Sequence, residues 1–216
     1  MPGMGDMTAL HPWTALDAAL TFAMWAVMMV GMMLPSATPM TLIYAGVVRK
    51  AAREGSVLPP TAVFVAGYLW AWTLFSAAAT AAQWGLEQAA LLSPMLVSTS
   101  PKLGAALLIA AGIWQFTPWK DVCLSHCRNP VLFFAQNFSP GVRGALRLGF
   151  RYGLYCLGCC WLIMALLFVG GVMNLLWIAA LTLFVLAEKV FARGLWGARV
   201  AGVAMIAVGA WLFAVA

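Results

Sequence analysis

Cys156, Cys159 and Cys160 stand in the run Cys156-Leu157-Gly158-Cys159-Cys160-Trp161, and Cys123, His126 and Cys127 in Cys123-Leu124-Ser125-His126-Cys127. Offsets of three and four put the first three on one helix face, and gather the second three if their stretch is helical. Thiolates joined by an imidazole are donors for a soft transition metal, Cu(I) before Zn(II). Structural disulfides are disfavoured if these residues face a reducing cytoplasm. Redox chemistry and plain helix packing by small apolar cysteines remain open, because the spacing does not show that the two clusters meet.

Methionines extend the theme. Met24, Met28 and Met32 recur every four residues on one helix face, and Met29 and Met33 line the adjoining face. Thioethers are neutral soft ligands, so this stripe could feed Cu(I) toward the thiols without deprotonation. The tail Met1-x-x-Met4-x-x-Met7, with His11, repeats the pattern. The competing reading is that methionine fills irregular gaps between helices.

The elements that must position these residues follow from composition. Of 216 residues, 64% are hydrophobic and 8% charged, against about 25% charged in soluble domains. A water-soluble globular protein is excluded. The sequence reads as an all-α, polytopic transmembrane helical bundle of about six spans, near 18–50, 60–84, 101–119, 146–169, 172–189 and 196–215. The first is predicted to break near its middle at Pro35–Pro39, with two half-spans as the alternative. Residues 1–216 form a single domain, in which 118–145 is a cytoplasmic or interfacial loop.

Eleven of the twelve basic residues fall in three inter-span segments, around Arg49–Arg53, Lys120–Arg151 and Lys189–Arg199; Lys102 alone lies opposite. The positive-inside rule puts those segments in the cytoplasm. Both termini are then extracytoplasmic, in a multi-pass protein of the bacterial inner membrane. A returning half-span at Pro35 would move the N-terminus inside. The net charge of +6 is thus read as orientation, not nucleic-acid binding. The absence of a basic residue before Arg49 argues against a cleavable signal. The expected partners are membrane lipids, and further membrane-protein subunits or a second copy of the chain.

Enzymatic readings find no signature. Asp121, Cys123 and His126 match no nucleophilic arrangement, and His11 and His126 fall on opposite sides, which rules out bis-histidine haem. Glu188 beside Lys189 at a span end reads either as a functional acid or as a snorkelling pair. Gln115 and Asn174 read as interhelical hydrogen-bonding amides.

Several stretches together resemble a known family. They are Met24-Trp25-Ala26-Val27-Met28-Met29-Val30-Gly31-Met32-Met33-Leu34-Pro35-Ser36, Gln115-Phe116-Thr117-Pro118-Trp119-Lys120, Tyr155-Cys156-Leu157-Gly158-Cys159-Cys160-Trp161, Gly171-Val172-Met173-Asn174 and Glu188-Lys189. Between residues 22 and 190 the chain looks like a bacterial family of uncharacterised, predicted metal-binding integral membrane proteins. The resemblance implies a membrane location and a metal, with no established reaction. The expectation is therefore a non-catalytic protein that binds copper, or else zinc, through Cys123, His126, Cys127, Cys156, Cys159 and Cys160, with Met24, Met28 and Met32 as an entry path. The alternative is a metal-free subunit or assembly factor of a larger membrane complex, its span six associating through Gly197, Ala201 and Gly202.

Overall fold

In the computed structural model the described residues are 13–89, 91, 100–190 and 194–215. All their regular structure is helical: α1 (Ala15–Arg53), α2 (Thr61–Gln88), α3 (Pro101–Trp114), α4 (Pro118–Arg128), α5 (Pro130–Asn137), α6 (Gly141–Ala165), α7 (Leu167–Gly170), α8 (Leu175–Val190) and α9 (Gly194–Val215). The Met1–His11 tail lies outside the described residues.

Among the described residues, four helices are long and apolar enough to cross a membrane: Ala15–Arg53, Thr61–Gln88, Gly141–Gly170 and Gly197–Val215. The helices described within the other two expected spans are shorter. Helix α3 has 14 residues and α8 has 16, about 21 and 24 Å at 1.5 Å per residue, against a hydrocarbon core of about 30 Å.

The expected break in the first span is not there. Helix α1 runs for 39 residues with Pro35 and Pro39 inside it. Each proline removes only one backbone donor, and hydroxyls enrich the hydrogen bonding beside them. Ser36 Oγ donates to the Met33 carbonyl at 2.8 Å, Tyr68 OH donates to the same carbonyl at 3.0 Å, and Thr41 Oγ1 donates to Ala37 O at 3.0 Å. The segment 118–145 also differs from expectation. It is not an open loop but contains α4, α5 and the first turn of α6.

Small residues set the helix packing. A Cβ on Gly149 would meet Phe64 O at 2.0 Å, one on Gly67 would meet Leu146 O at 2.2 Å, and one on Gly153 would meet Ala71 Cβ at 2.7 Å. Backbones therefore touch along α2 and α6, as small residues allow in membrane bundles. Because 64 lies by 149 and 71 by 153, the two helices run parallel and begin at the same end. That end also carries Arg143, Arg147 and Arg151, all exposed on the first turns of α6. Helices α3 and α9 pack antiparallel, with Gly112 against Gly202 and Ala105 against Gly209.

Gly149→Ala is expected to lower stability by about 1–3 kcal/mol, as overpacking of a closed seam does. Thermal unfolding of the detergent-solubilised protein would read this as a lowered Tm. An unchanged Tm would show that the α2–α6 seam is looser than described.

An aromatic layer crosses the bundle near the basic end. Tyr44 stacks on Phe64 with ring centroids 5.2 Å apart, and Tyr152 lies 5.4 Å from Phe133 and 6.2 Å from Phe64. It joins α1, α2, α5 and α6. One turn further along α2 and α6 come Tyr68 and Cys156.

Candidate metal centre

Offsets of three and four residues along a helix deliver Cys156, Cys159 and Cys160 to the interior face of α6, where all three are buried. Cys156 is 15 residues from Gly141, the first residue of α6, and so about 22 Å along the helix. The span carrying these thiols was expected to begin near 146. The helix starts earlier, with its three arginines already on it, so the thiols sit near its middle.

Helix α4 brings the second cluster to the first. Thr117 caps it, accepting from Lys120 N at 3.4 Å, and Pro118 occupies the first turn, where a proline has no donor to lose. Cys127, buried on α4, belongs to the same buried core as Cys156, Cys159 and Cys160. The neighbouring Cys156 and Cys159 side chains, and burial, push the Cys127 pKa well above the ordinary thiol value. Cys123 is half-buried and rests over Gly158, where an added Cβ would lie 2.7 Å from its sulfur. Burial, and Cys159 nearby, raise the Cys123 pKa. The glycine between Cys156 and Cys159 is thus the notch that lets α4 approach.

His126 has a different environment. Its ring stacks on Tyr155 at 4.2 Å, lies edge-on to Phe133, and its Nδ1 is bonded to Val122 O of its own helix at 2.8 Å. The imidazole therefore belongs to an aromatic contact between α4 and α6, while the buried contacts among thiols are made by cysteines.

Two residues that the sequence left as a terminal acid–base pair take separate roles. Adjacent helix positions diverge by about 100°, and Glu188 and Lys189 do so. Glu188 receives Lys120 Nζ on both carboxylate oxygens at 2.8 Å, with both side chains buried. Lys120 also donates to Gln115 Oε1, and Arg128 Nε donates to the Glu188 carbonyl at 2.9 Å. These bonds clasp α4 to the end of α8.

Lys189 turns instead toward the thiols. Its Nζ donates to Cys156 Sγ at 2.8 Å and to Ser36 Oγ at 2.9 Å. Tyr68 OH lies 3.1 Å from the same sulfur. Cys159 and Cys160 donate to the Cys156 carbonyl at 3.0 and 2.9 Å. Lys189, Tyr68 and Ser36 could not be assigned from sequence, because Lys189 and Tyr68 reach Cys156 from two other helices and Ser36 reaches Lys189 from a third. The one local signal was a lysine closing an apolar run.

Among the described residues, no group of three or more His, Cys, Asp and Glu is set as a metal-binding cluster. The geometry explains this. Two of the α6 sulfurs are turned back to a carbonyl and Cys156 is bonded to an ammonium, so binding needs rotation about side-chain bonds. The donor chemistry itself is all soft sulfur, which fits Cu(I) better than a four-coordinate Zn(II) with its N, O and S ligands.

The methionines divide between core and groove. Met29, Met33 and Met40 are buried in the core. Met24, Met28 and Met32 line a groove of about 600 Å³ together with Gly31, Met173 and Thr182. The groove lies between α1 and the start of α8. Met173 joins the stripe from the turn after Gly171, whose φ of +93° favours glycine.

A family model described as PpoB2, copper chaperone, matches residues 22–212. No curated protein and no solved structure matches the chain.

Proposed function

The chain belongs to the PpoB2 copper chaperone family, and from that premise we propose that it carries Cu(I) as cargo at a buried thiol site inside a membrane. Cys127, Cys156, Cys159 and Cys160 supply the donors, an ion in low coordination taking two of them at a time, with Cys123 at the edge. The observation that carries this reading is the meeting of the two clusters, with Cys123 of α4 lying over Gly158 of α6 and Cys127 buried in the same core as Cys156, Cys159 and Cys160. A packing role for single cysteines does not require that convergence.

Cu(I) is held by thiolates, so loading displaces thiol protons. Low coordination number leaves an edge open for a donor from a recipient protein, which takes the ion by ligand exchange. The role is that of a carrier, and no bond of an organic substrate is broken.

The protein is multi-pass. Its basic end, where α1 finishes with Lys50 and Arg53 and α6 begins, faces the cytoplasm by the positive-inside rule. The opposite end is marked by Trp13 Nε1 donating to Glu87 Oε2 at 2.7 Å. From that end the thioether groove leads inward. Met24, Met28, Met32 and Met173 form the entry path, and Met33, Ser36 and Lys189 connect it to Cys156. His126 is not among the donors in this reading.

Copper X-ray absorption of the anaerobically loaded protein tests the donor set. The expected first shell is sulfur alone. A nitrogen contribution of half or more of the shell would overturn it. A separate prediction concerns the path. Met28→Leu with Met32→Leu is expected to slow Cu(I) loading while leaving the final copper content intact, because the thiols remain. Loading at the wild-type rate would remove the groove from the account.

A further inference from the structure

We infer that Lys189 is the selectivity residue of this site: its buried ammonium against Cys156 favours a soft monovalent ion in low coordination over a divalent one. The inference rests on the thiol-carrier reading above and adds what sets its choice of cargo.

Lys189 is 8% exposed and spends two of its three donors on Cys156 Sγ and Ser36 Oγ. It has no carboxylate partner in these contacts, since Glu188 is held by Lys120. A buried cation needs compensating negative charge, and the thiols are what it faces.

The charge count separates the cargoes. Two thiolates holding a monovalent ion carry a net −1, which the ammonium cancels. Two thiolates holding a divalent ion are already neutral, and Lys189 then stands as an uncompensated buried charge. A divalent ion could recover balance with a third thiolate. Zn(II), however, takes a tetrahedral set of four ligands, and the space around Cys156 Sγ is occupied by Nζ at 2.8 Å and Tyr68 OH at 3.1 Å. Completing a tetrahedron there requires displacing the lysine. A two-coordinate monovalent ion can leave both contacts in place. Charge and crowding therefore favour the same ion.

The test uses the full chain in detergent, with Ag(I) as a redox-inert monovalent probe competing against Zn(II), and bound metals read by mass spectrometry. In Lys189→Gln the Ag(I)-to-Zn(II) occupancy ratio is expected to fall by about thirtyfold or more, the scale of losing one buried hydrogen-bonded charge. Lys189→Arg, which keeps the charge, should restore most of the ratio. Lys189→Met serves as the second neutral variant. Its apolar side chain of similar length suits a buried position, and a helical spectrum with a single size-exclusion peak verifies its fold. A ratio unchanged in both neutral variants, with Ag(I) still bound, overturns the selectivity role and leaves the carrier reading standing. A wild-type protein that takes up neither Ag(I) nor Cu(I) overturns both.

Discussion

Glu188→Ala is expected to destabilise the folded protein by about 3–5 kcal/mol, the cost of stripping the partner from a buried ion pair. Lys120 and Glu188 are almost wholly buried, with their charged atoms 2.8 Å apart. Removing the carboxylate leaves the Lys120 ammonium inside the bundle with only the Gln115 carbonyl oxygen. The loss should be local at first. The pair, with Arg128 on the Glu188 carbonyl, holds α4 against α8, so α4 should detach and carry Cys123 and Cys127 away. Faster thiol labelling of Cys127 would report that detachment alongside a lowered Tm. Lys120→Met combined with Glu188→Leu removes both charges and should recover much of the stability. If the single variant unfolds like the wild type, the clasp contributes nothing.

Cys127→Ser is expected to weaken Cu(I) binding by about a hundredfold, whereas His126→Ala should leave it within about twofold. The contrast follows from placement. Cys127 is buried in the same core as the α6 thiols, so it is the α4 donor placed to join the clusters, and replacing a soft sulfur by a hydroxyl discards a bond that Cu(I) prefers. His126 spends its ring on Tyr155 and its Nδ1 on Val122 O. Competition with a Cu(I)-selective chelator under anaerobic conditions measures both. Equal losses in the two variants would return His126 to the donor set and contradict the arrangement described.

Composition and periodicity made the helical, apolar character of the chain legible. The shared face of Cys156, Cys159 and Cys160 was legible too, because helix geometry is local and needs no partner. Depth was not. The start of α6 was placed near 146, past Arg143, although the helix begins at Gly141 and arginines on a helix entering a membrane sit on its first turns with their heads outward. Two prolines in α1 were read as a break, although each costs one donor and the Ser36, Thr41 and Tyr68 hydroxyls add bonds beside them.

The contacts that define the candidate site are long-range. Lys189 is 33 residues from Cys156 and 153 from Ser36, and Lys120 is 68 from Glu188. No window of sequence contains such pairs. A neighbouring Glu and Lys suggested each other as partners, yet side chains adjacent on a helix point apart, and each found a separate site. Small residues were similarly ambiguous. Gly202, read as a surface for association with other chains, packs against Gly112 and Gln115 within this one, while Gly197 faces open space.

The central claim is that the thiols of α6 hold copper. The direct measurement is the copper content per chain of protein purified anaerobically and loaded with Cu(I), beside the same preparation with Cys156, Cys159 and Cys160 changed to serine. The account predicts about one copper per wild-type chain, held through desalting, and none in the triple variant, whose helical content should be unchanged because the substitutions are nearly isosteric. Equal copper in the two preparations would place the ion elsewhere, and none in the wild type would contradict the account.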